Sequence, residues 1–365
     1  MNEYDVVIVG AGPGGSSAAK MAAERGLMTI ILEEHTVIGI PNHCWGMIFP
    51  QSKQEFVQEI LGSMDKVVIL KRYNGLRVYA PSGKVLQEVS IAGNDTYLIR
   101  RDYFDQELAK QAVNAGAELR LNTRVTGFIK QDGRVTGVTT SSASMPEVYG
   151  KIVIGADGIH AIGNGTPKWS GLTRPQEKFM GGVALTLTRV RDIENDVLEY
   201  HAGAFTKMGW IGLNPVDDVS CTTALLSMNE FERIKTGNYA LSKKFKEAVP
   251  LRMTGFSHAV DMGVGLPGNV QDGLILIGSA ANIMGIFQAI ATAHSAVEVA
   301  IEAIRDGDVS AKRLSRYEDL CKPVKRERGF LDSFPFYEQP DEVIEKRLIE
   351  MIEKDEFSYG RPRII

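Results

Sequence analysis

Residues 5–34 read DVVIVGAGPGGSSAAKMAAERGLMTIILEE. Val6, Val7, Ile8 and Val9 form an unbroken apolar run, the pattern of a short strand buried on both faces of a parallel sheet. Gly10, Gly12 and Gly15 follow in G-x-G-x-x-G spacing. The first glycine permits the turn, the second lets the backbone approach a pyrophosphate, and the third lets helix and strand pack closely. From about Gly14 to Arg25 the chain is rich in alanine and other helix formers, and Gly26 is the stop. Such a helix points unpaired N–H groups and the positive end of its dipole at a phosphate. Met28 to Leu32 reads as a second strand. Glu33 follows the turn by roughly 20 residues, where a carboxylate holds ribose hydroxyls. An acid there disfavours a 2′-phosphate, so the unit suits FAD or NAD better than NADP. The glycine spacing alone is a weak signal; strand, turn, helix, strand and acid in this order make it specific.

The 365 residues can bury a large core, as two domains or one two-part domain. With 24% charged residues and a formal net charge of −4, the chain reads as an ordinary globular protein and not as a nucleic-acid binder. A buried strand beginning at Asp5 argues against a signal peptide. Cys44, Cys221 and Cys321 include no C-x-x-C pair, which speaks against a disulfide framework and an iron–sulfur site. A reducing cytoplasm is the expected location. Gly273 to Val297 lacks Asp, Glu, Lys and Arg and has the length of a membrane span. Gly278, Asn282, Gly285, Gln288 and His294 interrupt it, so a buried strand, a turn and a buried helix fit it better.

After Glu34, the stretch HTVIGIPNHCWGMIFP reads as a loop, because its glycines and prolines forbid long regular structure. It carries Cys44 between His43 and Trp45. These residues suit core filling, a metal site with His35 and His43 of unusual spacing, or a functional cysteine facing a ligand. A helix is expected over 51–65. Lys66 to Ser90 reads as antiparallel strands turning at Asn74-Gly75 and Ser82-Gly83, a separate inserted sheet. Phe104, Leu108, Ala112 and Ala115 mark one face of a helix from Arg101, ended by Gly116. Strands follow over 117–121, 124–129, 135–140 and 148–154. The last runs into Gly155-Ala156-Asp157-Gly158, either an ordinary turn or an acid placed to bond a cofactor hydroxyl. Strand patterns return from Phe179 to Ser227, the expected sheet of a substrate domain. Helices are expected around 229–247, a strand over 255–264, a buried strand over 273–277, a turn at Ser279 and a long helix to about Ile304. A charged helix is expected over 310–328, with Lys322, Lys325, Arg326 and Arg328 near its end. It suits a solvated face or a docking patch for an acidic electron carrier. A further helix starts near Pro340.

With these pieces in place, the chain resembles the FAD-dependent geranylgeranyl reductase family, within the flavoproteins of p-hydroxybenzoate-hydroxylase-like fold. The resemblance rests on GAGPGGSSAA with Glu33, PNHC at 41–44, Arg101-x-x-Phe104-Asp105, IGADG at 154–158 and ILIGSAA at 275–281. It covers most of residues 1–305. It implies an α/β fold: a Rossmann-type FAD-binding domain, an inserted, mainly antiparallel β-sheet substrate domain, and C-terminal helices. The boundaries read as 1–65, 95–175 and 265–305 for FAD binding, 66–94 and 176–264 for substrate, and 306–365 for the helical end. The resemblance implies a flavin that takes electrons from an outside donor and reduces isolated C=C bonds of a prenyl or other apolar chain. It assigns the pyrophosphate to Gly10, Gly12, Pro13, Gly14 and Gly15, and the adenosine to Glu33, Glu34 and Val125. Arg101, Asp157, Gly158, Gly278, Ser279 and Ala289 fall to the rest of the cofactor. Cys44 matches the cysteine of the family's P-x-x-C-G motif, beside the flavin and the reacting bond, as proton source or pocket wall. His43, Trp45, Trp210 and Gly212 fall to the substrate, and no residue falls to a metal.

Four departures stand out. The family's Gly-Asp-Ala-Ala is Gly278-Ser279-Ala280-Ala281 here. The Pro and Gly residues that usually follow are replaced by Ile286, Gln288, Ala289 and Ala291. Trp45 and Gly46 follow the cysteine in place of Gly and an acid. The family's Tyr-x-Trp-x-Phe-Pro strand corresponds to Trp210-Ile211-Gly212-Leu213-Asn214-Pro215. Competing readings are a flavin monooxygenase of an aromatic substrate, an electron-transfer flavoprotein–quinone oxidoreductase-like protein, and a flavin-poor binding relative. No separate NADPH motif is present, so the donor is expected to be a reduced ferredoxin or a nicotinamide. A lipid-like substrate implies a peripheral membrane contact, although no amphipathic anchor stands out.

Overall fold

The computed structural model describes residues 3–48, 64, 68–92, 96–158, 179–206, 210–259, 268–322 and 339–353. In chain order come β1 (Glu3–Val9), α1 (Pro13–Glu24), β2 (Thr29–Leu32), β3 (Met47–Ile48), β4 (Ile69–Arg72), β5 (Gly75–Tyr79), β6 (Val85–Ser90), β7 (Tyr97–Ile99) and α2 (Arg101–Asn114). Next are β8 (Glu118–Arg120), β9 (Val125–Gln131), β10 (Arg134–Thr140), β11 (Glu147–Gly155), β12 (Phe179–Thr188), β13 (Val197–Ala202), β14 (Trp210–Pro215) and β15 (Cys221–Leu225). The remainder holds α3 (Met228–Thr236), α4 (Ala240–Phe245), β16 (Val249–Ala259), β17 (Val270–Gln271), β18 (Leu274–Leu276) and a 3-10 turn (Gly278–Ala281). It ends with α5 (Ile286–Asp306), α6 (Ala311–Leu314), α7 (Arg316–Leu320) and α8 (Asp341–Glu353).

The chain forms two compact units. The first comprises Met1–Ile40, Asp102–Phe179 and His258–Arg328. Its sheet runs β17-β18-β11-β1-β2-β8, with β10 attached to β11 and β9 to β10. The contacts of β1 with β2 and β11, of β2 with β8 and of β11 with β18 are parallel. Val6 to Ile8 and Ile30 to Leu32 are buried on both faces, as an all-apolar run in a parallel sheet requires. Alanines let α1 and α5 approach closely: Ala18, Ala19 and Ala22 share one core with Ala293, Ala296 and Ala300. Gly26, at φ +79°, and Gly307, at φ +71°, end these helices in the left-handed region.

The second unit comprises Pro41–Arg101, Met180–Ser257 and Gly329–Ile365. Its larger sheet runs β16-β12-β15-β14-β13-β5-β6, and β3-β7-β4 form a smaller one. The described pairings are antiparallel except β13 with β5. Alternation along β13 splits its side chains. Leu198 and Tyr200 join Met47, Leu76, Val78 and Leu98 in one core. A second core joins Leu185, Leu213, Cys221 and Leu225 to Phe231, Leu241 and Phe245 of α3 and α4.

Three expectations change. Asn74-Gly75 does not close a hairpin: β4 pairs with β7, whereas β5 pairs with β13 and β6. The chain crosses between sheets here, anchored by the Tyr73 hydroxyl donating to the Pro215 carbonyl at 2.8 Å. A Cβ at Gly75 would meet Val197 at 3.0 Å, so the glycine serves close approach to β13. β16 starts at Val249 rather than 255, as the alternation of Val249, Leu251 and Met253 with Pro250, Arg252 and Thr254 already allowed. The charged helix is two short ones, α6 and α7, so that both Leu314 and Tyr317 reach the first unit's core. The C-terminal helices are shared between the units: Ile344 and Leu348 of α8 pack against Ala202 in the second. The helix expected over 51–65, apart from residue 64, and Lys325, Arg326 and Arg328 lie outside the described residues. Among the described residues no helix is long and apolar enough to cross a membrane.

Candidate active site

The Gly10–Gly15 turn is built by contact rather than by flexibility alone. Gly10 sits at φ +95°, and a Cβ there would lie 2.8 Å from the Ala156 carbonyl oxygen. A Cβ on Gly15 would lie 1.9 Å from the Gly10 carbonyl oxygen, so no other residue fits. Over Gly12 a Cβ would meet nothing within 4 Å. Gly12 is the N-cap of α1, which has Pro13 in its first turn and no side-chain cap. A helix start with open space beside it and, among the described residues, no side-chain cap suits an anion, here a pyrophosphate.

Glu33 is buried at the end of β2. One carboxylate oxygen accepts the Ala11 N–H at 2.8 Å, tying the acid to the turn. The other accepts the His35 backbone N–H at 2.9 Å and lies 2.8 Å from its ring Nδ1. His35 therefore belongs to this carboxylate, and His43 bonds the Gly255 carbonyl at 3.0 Å. Among the described residues no cluster of His, Cys, Asp or Glu is placed to hold a metal ion. Glu34 is more open and faces Arg124 at 3.4 Å. Val125 follows at the start of β9, paired with Thr140.

Asp157 and Gly158 leave the end of β11 beside the first turn: a Cβ on Gly10 would come within 3.1 Å of the Asp157 Cα. The Ile277 N–H donates to the Gly155 carbonyl at 2.9 Å, bringing the Gly278–Ser279 turn to the same strand end. Gly278, at φ +57°, donates its N–H to the Thr292 hydroxyl at 3.0 Å. Sequence reading missed Thr292; a hydroxyl between Ala291 and Ala293, just after the Gly278–Ala281 turn and the helix start, was its signal. Ala289 packs between the two turns. A Cβ on Gly14 would lie 3.5 Å from the Ala289 Cβ, and one on Gly278 would lie 3.1 Å from it. Gly285, at φ +126°, is the N-cap of α5, and Gln288 folds back over it. These elements place a turn, a buried acid and two uncapped helix starts in one unit. They fit a dinucleotide at its pyrophosphate and ribose.

In the second unit, Cys44 is half-buried. Its backbone N–H donates to Asn42 Oδ1 at 2.9 Å, and its Sγ accepts the Gly46 N–H at 3.3 Å. Trp45 lies against β14. A Cβ on Gly212 would meet Tyr200 at 3.4 Å and both Trp210 and Trp45 at 3.7 Å. The structure thus gathers Trp45, Trp210 and Gly212, named from sequence, around Tyr200, which was not. Tyr200 and Trp210 pack with ring centroids 5.1 Å apart. The missed signal was the Leu198–Tyr200 alternation on β13. Arg101 is half-buried and opens α2.

A model of the FAD binding domain matches residues 3–326. A digeranylgeranylglycerophospholipid reductase of Methanocella arvoryzae is 32% identical over 333 residues, spanning 87% of this chain and 82% of the relative. The chain is a member of the FAD-dependent geranylgeranyl reductase family. A solved structure of a geranylgeranyl bacteriochlorophyll reductase-like protein from Thermoplasma acidophilum matches with a TM-score of 0.80 at 26% identity, over 97% of this chain and 92% of that one. The flavin-dependent brominase Bmp2, as a triple mutant, matches with a TM-score of 0.70 at 19% identity, over 98% and 95% of the two chains, which shows a shared fold. Family membership makes the chain an FAD-dependent oxidoreductase, with FAD as the dinucleotide that the first unit fits.

Proposed function

We propose that this member of the family reduces isolated C=C bonds of a prenyl or other lipid-like substrate, with electrons from a reduced ferredoxin or a nicotinamide. The observation that carries the reading is the half-buried Cys44 next in sequence to Trp45, which gathers with Tyr200 and Trp210 about Gly212. The first unit binds FAD and the second supplies the substrate surface. Bound FAD supplies a hydride, from N5 of its ring. The α1 start holds the pyrophosphate through its free N–H groups, and Glu33 orients the ribose. An unactivated alkene accepts hydride poorly, so a proton must reach the neighbouring carbon. Cys44 is assigned to deliver it: Sγ already accepts from Gly46, which leaves its own hydrogen available to donate. The alkene gains one hydride and one proton, and water restores the thiol.

The test is anaerobic reduction of the holoenzyme with dithionite, followed by addition of a geranylgeranyl lipid. Bleached flavin bands that return with the lipid, together with a product heavier by two hydrogens per bond, support the reading. Return of the bands with O2 and an aromatic substrate but not with the lipid would replace it by the monooxygenase reading.

A further inference from the structure

Within the second unit, one ring joins the aromatic group at Gly212 to the C-terminal helix. Tyr200 and Gly212 lie opposite each other in β13 and β14, and Ala202 and Trp210 form the next pair on the same face. Trp45 lies at the first pair. A Cβ on Gly212 would meet Tyr200 at 3.4 Å and both Trp45 and Trp210 at 3.7 Å. These are ordinary contact distances, so the three rings bound a slot that a single added carbon fills. α8 lies at the second pair. Ile344 and Leu348, one turn apart on its inner face, are buried and form a cluster with Ala202. Trp210 belongs to both groups: it packs against the core that holds Tyr200, and against the cluster of Ala202, Ile344 and Leu348. Met351 continues the buried stripe of α8 and, among the described residues, stands outside that cluster. The Ser82 hydroxyl donates to Glu345 Oε2 at 2.8 Å, which fastens the same helix to the turn between β5 and β6.

We infer that Ile344 and Leu348 of α8 set substrate specificity by holding the Trp210 ring against the slot over Gly212. The inference rests on the lipid-like substrate proposed above and names what limits the bulk of the chain admitted. A branched chain in the slot needs more room than one added carbon, so a ring must give way. Tyr200 is fixed in the core with Met47, Leu76, Val78 and Leu98. Trp210 is half-buried, and the α8 cluster stands behind it. The ring withdraws from the slot into space that Ile344 and Leu348 fill. A packed interior has no spare volume, so these side chains fix the slot's width without touching the chain. They are positioning residues. Truncating either leaves a void on the α8 side, and a ring with a void behind it can move. A prenyl chain offers no polar group to recognise along its length. Its methyl branches make width the property by which such a slot discriminates.

The experiment compares kcat/KM of the FAD-loaded full chain, with dithionite as donor, for a geranylgeranyl lipid and for an analogue carrying ethyl in place of each methyl branch. The wild type is expected to favour the methyl-branched chain by roughly 10- to 200-fold. Ile344→Ala and Leu348→Ala are each expected to lower that ratio about tenfold. Met351→Ala, from the same buried stripe of α8, should leave it unchanged. Gly212→Ala fills the slot without a clash, at 3.4 Å or more from each ring. It should lower kcat/KM for the geranylgeranyl lipid about tenfold. Adding Leu348→Ala should restore most of that loss, which a purely structural role of Leu348 would not do. Ile344→Val removes one methyl and should move the ratio the same way by a smaller factor; it decides the matter should the alanine variants not fold. A ratio unmoved by the α8 variants, an equal change in Met351→Ala, or no rescue of Gly212→Ala overturns the inference. Binding of the two saturated chains, read by quenching of tryptophan fluorescence, separates the two proposals. A binding preference that Leu348→Ala lowers, without reduction of the geranylgeranyl lipid, leaves the α8 assignment standing and removes the reductase reading. Reduction with a preference indifferent to α8 does the reverse.

Discussion

Replacing Glu33 by Gln removes one charge and almost no volume. The carboxylate accepts the Ala11 N–H through one oxygen and the His35 backbone N–H through the other. A carboxamide can satisfy only one side. On the other, its NH2 opposes a backbone N–H. A hydrogen bond to a charged group is worth roughly 1.5–3 kcal/mol, so loss of one loosens the turn by that order. The same substitution removes the anionic acceptor assigned to the ribose hydroxyls. FAD affinity should fall by about 10- to 100-fold, at 1.4 kcal/mol per tenfold. The assay is titration of stripped apoprotein with FAD, followed by quenching of flavin fluorescence. Glu24→Gln is the internal control, because Glu24 lies on the surface at the far end of α1, paired with Lys20 at 2.7 Å. It should bind within about twofold of the wild type. Equal affinity of Glu33→Gln and wild type, or an equal loss in Glu24→Gln, would refute the reasoning.

Cys44→Ala should retain FAD but slow oxidation of the reduced enzyme by a prenyl lipid by roughly 10²- to 10⁴-fold, the usual worth of a positioned acid; stopped-flow traces that match the wild type would remove Cys44 from the chemistry. Gly15→Ala places a methyl 1.9 Å from the Gly10 carbonyl oxygen and should yield protein without flavin bands in its visible spectrum. Lys244→Met leaves Glu199, whose side chain is 1% exposed, without the cation that pairs with it at 3.1 Å. It should cost about 3–5 kcal/mol in denaturant unfolding, and adding Glu199→Gln should recover much of that loss; no recovery would mean that Lys244 acts by packing alone. Burial pushes the His201 imidazole below its ordinary value, despite the opposing hydrogen bond that its Nε2 donates to Glu199 at 2.8 Å. A lowered histidine is neutral when folded, so its contribution is complete above the ordinary value of 6.5 and is lost as pH falls through the folded one. Glu199 acts in the same direction: burial works to raise it, but His201 and Lys244 together hold it low, so its contribution is lost only at more acid pH. The thermal transition should drop as pH falls below 6.5, and a His201→Asn variant should show a smaller drop across that range.

The nucleotide-binding half was readable because its chemistry is local. A turn with glycines at three fixed places, an alanine-rich helix and an acid after the next strand lie within one short stretch, and each has one physical use. Cys44 and Trp45 were visible as residue types in a loop, but their neighbours were not. Tyr200 and Gly212 reach Trp45 only through pairing of β13 with β14, and such pairing is settled by the packing of two cores rather than by either strand. The Asn74-Gly75 turn shows the limit from the other side. Its residues suit a hairpin, yet tertiary packing hands its two flanking strands to different sheets.

The sequence by itself determined the cofactor class, the Gly10–Gly15 turn with Glu33, and the alternation of parallel and antiparallel segments, because these depend on residues close in the chain. Only the tertiary structure decided that Ala289 wedges between Gly14 and Gly278, that Thr292 holds the second turn, and that Val249, Leu251 and Met253 lie exposed on an edge. A period of two reports which residues share a face. Whether that face meets protein or solvent depends on what the rest of the chain brings to it.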